Sequence, residues 1–313
     1  MRTNIKKHKR RSEVTEFRLE MQRNGSLYLL VLPVIVFYLI FAYVPMYGAL
    51  IAFQNYTIGN GFLESEWVGL QHFKNFFSSP DCIRIIWNTL RLNILNLIFG
   101  FPMPIILALM LNEVWSKKFK KVAQTFTYIP HFISVVVICA LIKNFVDKGG
   151  IITNFLSFFG MENKNMLNDK NLFTPIYIIS DIWQQIGWNS IIYIAALSGI
   201  DMQLYEAASL DGAGKWKQLF HVTIPGIMPT IIIMLILKIG SLLNLGYEKI
   251  ILLYNPVIYD TSDVISTYVY RLAFSGQQWS YTTAIGLFNS VVNLVLLVGA
   301  NKISAKLGEA SLW

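Results

Sequence analysis

The chain has 313 residues, 54% of them hydrophobic and only 14% charged, with a mean hydropathy of +0.49. A soluble domain carries about 25% charged residues, so an ordinary soluble globular protein is excluded and a polytopic membrane protein is indicated. The net charge of +8 does not mark a nucleic-acid binder, because eight basic residues sit within the first 25 positions and the rest fringe apolar stretches, the footprint of membrane orientation.

Residues 1–25 read as a basic cytoplasmic tail. The stretch contains acids (Glu13, Glu16, Glu20) and runs into an apolar segment too long for a signal core, so a permanent first span is expected rather than a cleaved leader. Lys6, Lys7, Lys9, Arg10 and Arg11 set topology, or touch anionic lipid headgroups.

A spanning helix needs about 20 mostly apolar residues. Six segments qualify: 28–52, 88–112, 125–146, 173–199, 226–247 and 281–300. Pro33, Pro45, Pro102, Pro104 and Pro229 fall inside them and predict kinked, tightly bundled helices. The fold expected is therefore all-α, a polytopic bundle of six transmembrane helices.

Polar residues inside these spans are candidates for function. Arg91, near one end of the second span, reads as a snorkelling anchor. Cys82 and Cys139 offer neither metal spacing nor a disulfide framework, and no metal site is expected. His131 in the third span reads as a satisfied structural residue. In the fourth span Asp181, Gln184, Gln185 and Trp188 share one broad face, with Asn189 nearby. An acid in a membrane is costly and turns to a cavity or a partner. This face therefore either lines a pathway or holds neighbouring helices by hydrogen bonds. In the fifth span Lys238, Ser241, Asn244 and Glu248 recur every three or four residues. They predict one polar stripe that lines a pathway or binds another helix.

Basic residues orient the chain. With the N-terminus inside, the inside segments hold sixteen Lys and Arg against seven outside, and Lys117, Lys118, Lys120 and Lys121 form the clearest cluster. Both termini are expected in the cytoplasm. The layout is a tail at 1–25, a membrane domain at 26–305 containing a long inside loop at 201–225, and a short tail at 306–313. No phosphate-cradling glycine loop occurs, so no catalytic residue is assigned and the chain is not expected to be an enzyme.

The loop 201–225 carries the strongest signal. Residues 203–210 are good helix formers, Gly212 and Gly214 permit a sharp turn, and a second short helix is expected over 215–222 before Pro225 opens the fifth span. Ala207, Ala208, Gly212 and Ala213 allow another backbone to approach closely. Glu206 offers a charge to a cationic partner, and Leu204, Tyr205, Leu219 and Phe220 offer apolar contact. The run Glu206-Ala207-Ala208, then Gly212, Val222, Ile224 and Pro225, resembles the coupling-loop signature of permease subunits in binding-protein-dependent ABC importers. Val222 and Ile224 stand where Ile and Leu are usual. Trp67-Val68-Gly69-Leu70 with Phe73, Asn88-Thr89, the run from Ile182-Trp183 to Gly187-Trp188, and Tyr254-Asn255-Pro256 are similar to the carbohydrate branch of that family, the polysaccharide or lipoprotein-type sugar permeases.

The resemblance implies a multi-pass protein of the bacterial cell membrane and a division of labour. An extracytoplasmic solute-binding protein or lipoprotein delivers the substrate, two related permease subunits form the pathway, and two ATPase subunits or domains dock on the coupling loops. ATP and Mg belong to those ATPases, so no cofactor is expected in this chain. It also implies ATPase coupling for Tyr205, Glu206, Ala207, Ala208, Gly212, Ala213 and Pro225. With a sugar as substrate, the polar faces of the fourth and fifth spans read as a pathway at Asp181, Gln184, Gln185, Trp188, Ser241 and Asn244, with Trp183 or Trp188 stacking on a sugar ring, or else as helix-to-helix contacts. The alternatives are an importer for another small solute, or an ion-coupled carrier using Asp181, Lys238 and Glu248 as a relay.

Overall fold

The computed structural model describes residues 23–313; the basic run from Lys6 to Arg11 lies outside the described residues. The chain is mostly helical. Its main elements are α1 (Arg23–Phe53), α2 (Gln71–Phe77), α3 (Asp81–Glu113), α4 (Lys117–Phe132), α5 (Val135–Val146), α6 (Phe173–Ser198), α7 (Met202–Leu210), α8 (Lys215–Gly240), α9 (Tyr247–Leu253), α10 (Ile265–Gly276) and α11 (Trp279–Lys306). A two-residue antiparallel ribbon, β1 (Gln54–Asn55) with β2 (Glu66–Trp67), qualifies the all-α expectation.

Among the described residues, α1, α3, α8 and α11 are long and apolar enough to cross a membrane. The pair Lys117–Phe132 and Val135–Ser157, bent by 99°, makes a fifth crossing if taken together. The third predicted span, 125–146, is thus not one straight helix. Pro130 lies in its last turn, Ile133 and Ser134 are extended, and the Ser134 hydroxyl caps α5 by accepting from Val137 N. A proline cannot donate to the helix ladder and crowds the preceding turn, so the break falls beside it.

α6 has the length of a span but is too polar to be read as one from hydropathy. One side of it packs against α3, α4 and α8 and buries Tyr177, Ser180, Gln184, Gly187, Ser190 and Tyr193, while Ile179, Ile191 and Ile192 stay exposed. The crossing with α4 is closest at Gly187, where a β-carbon would collide with the Thr127 carbonyl. Small residues allow such an approach between membrane helices.

Three prolines share one local solution. Widened turns at Leu39–Tyr43, Asn96–Gly100 and Leu219–Thr223 each end two residues before a proline, respectively Pro45, Pro102 and Pro225. In the last two, Phe101 N and Ile224 N reach back five residues to Asn96 O and Leu219 O. Opening the turn relieves the clash of the proline ring with the preceding carbonyl. The consequence at Pro225 corrects the sequence expectation: the 215–222 segment is not a separate helix but the first part of α8, which runs unbroken from Lys215 to Gly240.

α8 also ends earlier than predicted. It stops at Gly240, which faces Leu297 of α11 at a distance that leaves no room for a side chain. The Ser241 hydroxyl then bonds back to the carbonyls of Leu237 and Lys238, and Asn293 accepts from Leu243 N at 3.0 Å. The predicted stripe through Lys238, Ser241, Asn244 and Glu248 is therefore broken, and Glu248 belongs to α9.

One apolar cluster joins α5, α6 and α9, a second joins α3, α10 and α11, and a third joins α3, α6 and α8. The C-terminal residues fold back on α11, with Leu312 N donating to buried Asn301 and the Ser304 hydroxyl to Ala310 O. By contrast, residues 27–46 of α1 are almost wholly exposed, and α1 meets the bundle mainly where Tyr47–Phe53 packs on α11.

Candidate functional site

Two features bring the singled-out residues together: a projecting helix-turn at one end of the bundle and a polar cavity in its middle.

The projection is α7 and its return. The Asp201 carboxylate accepts from Gln203 N at 2.9 Å and caps the helix. At the other end Gly212 adopts φ 74°, Gly212 N bonds Ser209 O, and Ala213 N bonds Ala208 O. This closure requires a left-handed residue, which glycine supplies without strain. Gln218 of α8 donates to both the Ser209 hydroxyl and the Ala213 carbonyl, clipping the two arms together. Tyr205 shares a 2.9 Å hydrogen bond with Thr223, and Lys215 pairs with Glu113 of α3 at 2.9 Å. α7 is thus tied to the start of α8, and that start carries one solvent-exposed ion pair to α3. Its outer surface presents Glu206, Leu204, Leu210 and Trp216, all exposed, the last two at 89% and 75%.

The predicted coupling residues divide by role. Glu206 and Ala207 are exposed, Tyr205, Ala208 and Ala213 are half-buried, and Pro225 lies on α8 behind the widened turn. A β-carbon on Gly212 would meet nothing within 4 Å, so within this chain its requirement is conformational rather than steric.

The cavity, of about 390 Å³, lies between α3, α6 and α8. Asp181, Gln185 and Ser241 line it, as predicted for pathway residues, together with Asn96, Asn189 and Lys238. The other three predicted residues do not join them. Gln184 is buried outside the cavity lining, 3.4 Å from the Lys249 ammonium that also faces Asp181. Trp188 stacks on His131 with ring centroids 4.4 Å apart and planes 2° from parallel. Asn244 is exposed beyond the end of α8. Trp183, the other indole proposed to stack on a sugar, lines a separate apolar groove with Leu141 and Phe145. The helical period placed Asp181, Gln184, Gln185 and Trp188 on one broad face. That face is split by α9, whose lysine takes Gln184, and by α4, whose His131 takes Trp188 and also bonds Gln185 at 2.9 Å.

Two residues were missed. Asn96, which opens the widened turn of α3, donates to Asp181 Oδ2 at 2.7 Å. Lys249, assigned from sequence to an outer connection, is 7% exposed. Its ammonium stands 3.4 Å from Asp181 Oδ1 and 5.5 Å from the Tyr177 ring. For Asn96 the available cue was Pro102 six residues on, since such widened turns collect at functional positions. No cue in the sequence marks Lys249, because its burial depends on α9 folding back against α5 and α6.

Arg91 does not snorkel. It donates to Thr261 O at 2.7 Å and Thr174 Oγ1 at 3.1 Å, tying α3 to the first turn of α6 and to the segment before α10. There Asp263, fully buried, pairs with Arg271 at 2.7 Å. Asn88 donates to the carbonyls of Asp260 and Asp263. The bond and charge of Asp263 hold the Arg271 guanidinium above its ordinary pKa. Asp260 pairs with Lys170, whose ammonium holds that carboxyl below the usual range.

A helical bundle with membrane-length apolar helices, a cavity lined in part by polar side chains and a projecting helix-turn has the architecture of a membrane permease. Residues 100–308 match the family described as binding-protein-dependent transport system inner membrane component, and the chain belongs to it. It is 44% identical to Protein LplB of Bacillus subtilis (strain 168) over 94% of this chain and 92% of that protein. It is 45% identical to the polygalacturonan/rhamnogalacturonan transport system permease protein YteP of the same organism, with the same coverage. Among solved structures it is similar to a chain of a bacterial alginate ABC transporter in complex with an alginate pentasaccharide-bound periplasmic protein. That likeness has a TM-score of 0.86 and 44% identity, over 94% of this chain and 98% of that one. The protein is therefore a multi-pass ABC permease of the membrane and not an enzyme.

Proposed function

We propose that this chain forms, with a second related permease, the path by which an ATP-driven importer carries oligosaccharides across the bacterial cell membrane. The observation that carries the proposal is the fastening of the 201–225 loop to α3 and α8, two of the helices that line the cavity. A push on the loop is carried toward the cavity walls along α8, through its widened turn, and through the Lys215–Glu113 pair to α3. ATP and Mg are held by a partner ATPase that grips Glu206, Ala207 and the exposed apolar residues around them. An extracytoplasmic binding protein hands the sugar to the opposite end. The relatives' polygalacturonan, rhamnogalacturonan and alginate substrates support a carbohydrate, and the amides, hydroxyl and aromatic groups of the cavity suit one.

Six crossings follow when α6 and the bent α4–α5 pair are added to the four apolar helices. The basic bias of the segments flanking the 201–225 end supports placing that end and both termini in the cytoplasm. An ion-coupled relay through Asp181, Lys238 and Glu248 fits less well, because Asp181 is engaged by Asn96 and Lys249 while Glu248 lies outside the cavity lining.

The test is uptake of labelled oligosaccharide by proteoliposomes holding this chain, its second permease and its ATPase, with binding protein outside. Uptake is expected to need both ATP and the binding protein. Uptake driven by an ion gradient without ATP overturns the reading.

A further inference from the structure

The part of the cavity that this chain lines carries an unbalanced charge. Only two of its lining residues are charged, Asp181 and Lys238. Asp181 is neutralised from behind: one carboxylate oxygen accepts from Asn96 and the other faces the ammonium of buried Lys249, which does not line the cavity. Lys238, half-buried in the last turn of α8, has no carboxylate partner among the described residues. The formal sum of Asp181, Lys249 and Lys238 is one positive charge.

An ammonium on the wall of a cavity inside a membrane bundle attracts an anion. The adjoining groups are neutral donors and acceptors, Gln185, Asn189 and Ser241, with the Phe101 and Tyr193 rings alongside. An ammonium for a carboxylate, amides for hydroxyls and a ring for an apolar sugar face make one chemical description. The 390 Å³ volume falls in the range of roughly 300–1,000 Å³ typical of small-molecule sites.

Resting on the carbohydrate reading above, we propose that the cavity selects anionic saccharides of the uronate type and that Lys238 binds the carboxylate. Asp181 and Lys249 then form a self-neutralised pair that shapes the wall without repelling the substrate. Were Asp181 unpaired, its charge would oppose the one it faces.

The experiment uses the assembled importer in proteoliposomes, with Lys238→Arg, Lys238→Gln and Lys238→Glu. The probes are labelled trisaccharides of galacturonate and of alginate, and their carboxyl-reduced counterparts. ATPase stimulation by loaded binding protein reports that each variant is assembled. Lys238→Gln is expected to lower uptake of an acidic trisaccharide about tenfold, the worth of one charge-assisted contact. Lys238→Arg is expected to keep most of it, Lys238→Glu to abolish it, and the reduced probes to change little. Acidic uptake at the wild-type rate in Lys238→Gln overturns the inference while leaving carbohydrate transport standing. Equal loss of acidic and reduced probes in Lys238→Gln and Lys238→Arg assigns Lys238 to packing and overturns it too. A wild-type importer that takes up none of the probes under ATP turnover removes the carbohydrate reading and this inference with it.

Discussion

Within the projecting loop the contacts that shape the turn are short in sequence, and only the exposed Lys215–Glu113 pair reaches far, across 102 positions. Ser209 to Gln218 spans 9 positions and Tyr205 to Thr223 spans 18. Around the cavity they are long: Asn96 to Asp181 spans 85 positions and Asp181 to Lys249 spans 68. The loop is also exposed, so its shape is set by caps, a left-handed glycine and one clipping glutamine. The cavity cluster is buried, so its shape exists only when three distant segments have already docked. A signature can be read from the first kind of region. The second kind stores chemistry that becomes visible only in three dimensions.

Breaking each region separately sharpens that contrast. The largest effect is expected in the loop. Glu206→Lys should abolish uptake and co-purification of the ATPase while leaving the yield and thermal stability of the purified permease unchanged, since Glu206 is exposed and its carboxylate bonds nothing among the described residues. Wild-type uptake in that variant would contradict its docking role.

Next comes the buried pair. Lys249→Met leaves Asp181 facing a low-dielectric wall and should cost on the order of 3 kcal/mol of stability, read as a lower unfolding temperature in detergent. Asp181→Leu combined with Lys249→Met should recover most of that loss. A double variant no more stable than Lys249→Met would show that the pair does not act as a unit.

A third variant tests packing between them. Gly187→Ala forces a methyl into the Thr127 carbonyl and should destabilise the α4–α6 crossing by about 1–3 kcal/mol, with ATPase docking intact in protein that folds. Unchanged stability would mean that the two helices are free to part at this crossing.

The smallest expected effect is Gln218→Ala. It removes two exposed or half-buried bonds, about 1 kcal/mol in all, and should uncouple more than it destabilises. The readout is the ratio of sugar moved to ATP hydrolysed, which should fall. An unchanged ratio would assign the clip to local folding alone.

Legibility followed the same division. Asp201, Gly212 and the Glu206-Ala207-Ala208 run could be read because capping and turn chemistry are local. The apolar helices α1, α3, α8 and α11 could be read because lipid imposes one hydropathy on them. α6 was read as the fourth apolar segment, 173–199, although its polar residues lower its hydropathy below that of the other four. The helix breaks were misplaced because proline announces a disturbance without saying whether the chain will widen a turn, as before Pro102 and Pro225, or stop, as after Pro130. Half of the predicted pathway set, Asp181, Gln185 and Ser241, reached the cavity. Gln184 and Trp188 did not, because helical period fixes a face but not which neighbour occupies each part of it. Lys249 stayed hidden since only the fold-back of α9 buries it.

The central claim is that the 201–225 loop transmits ATPase motion directly to the cavity. The most direct measurement places spin labels on Leu210 of the loop and Leu237 beside the cavity and follows both by pulsed electron resonance during ATP turnover in the assembled importer. The account predicts that both labels shift together, with the same nucleotide dependence, and that Glu206→Lys abolishes both shifts. A cavity label that moves on ATP binding in Glu206→Lys as it does in the wild type would contradict it.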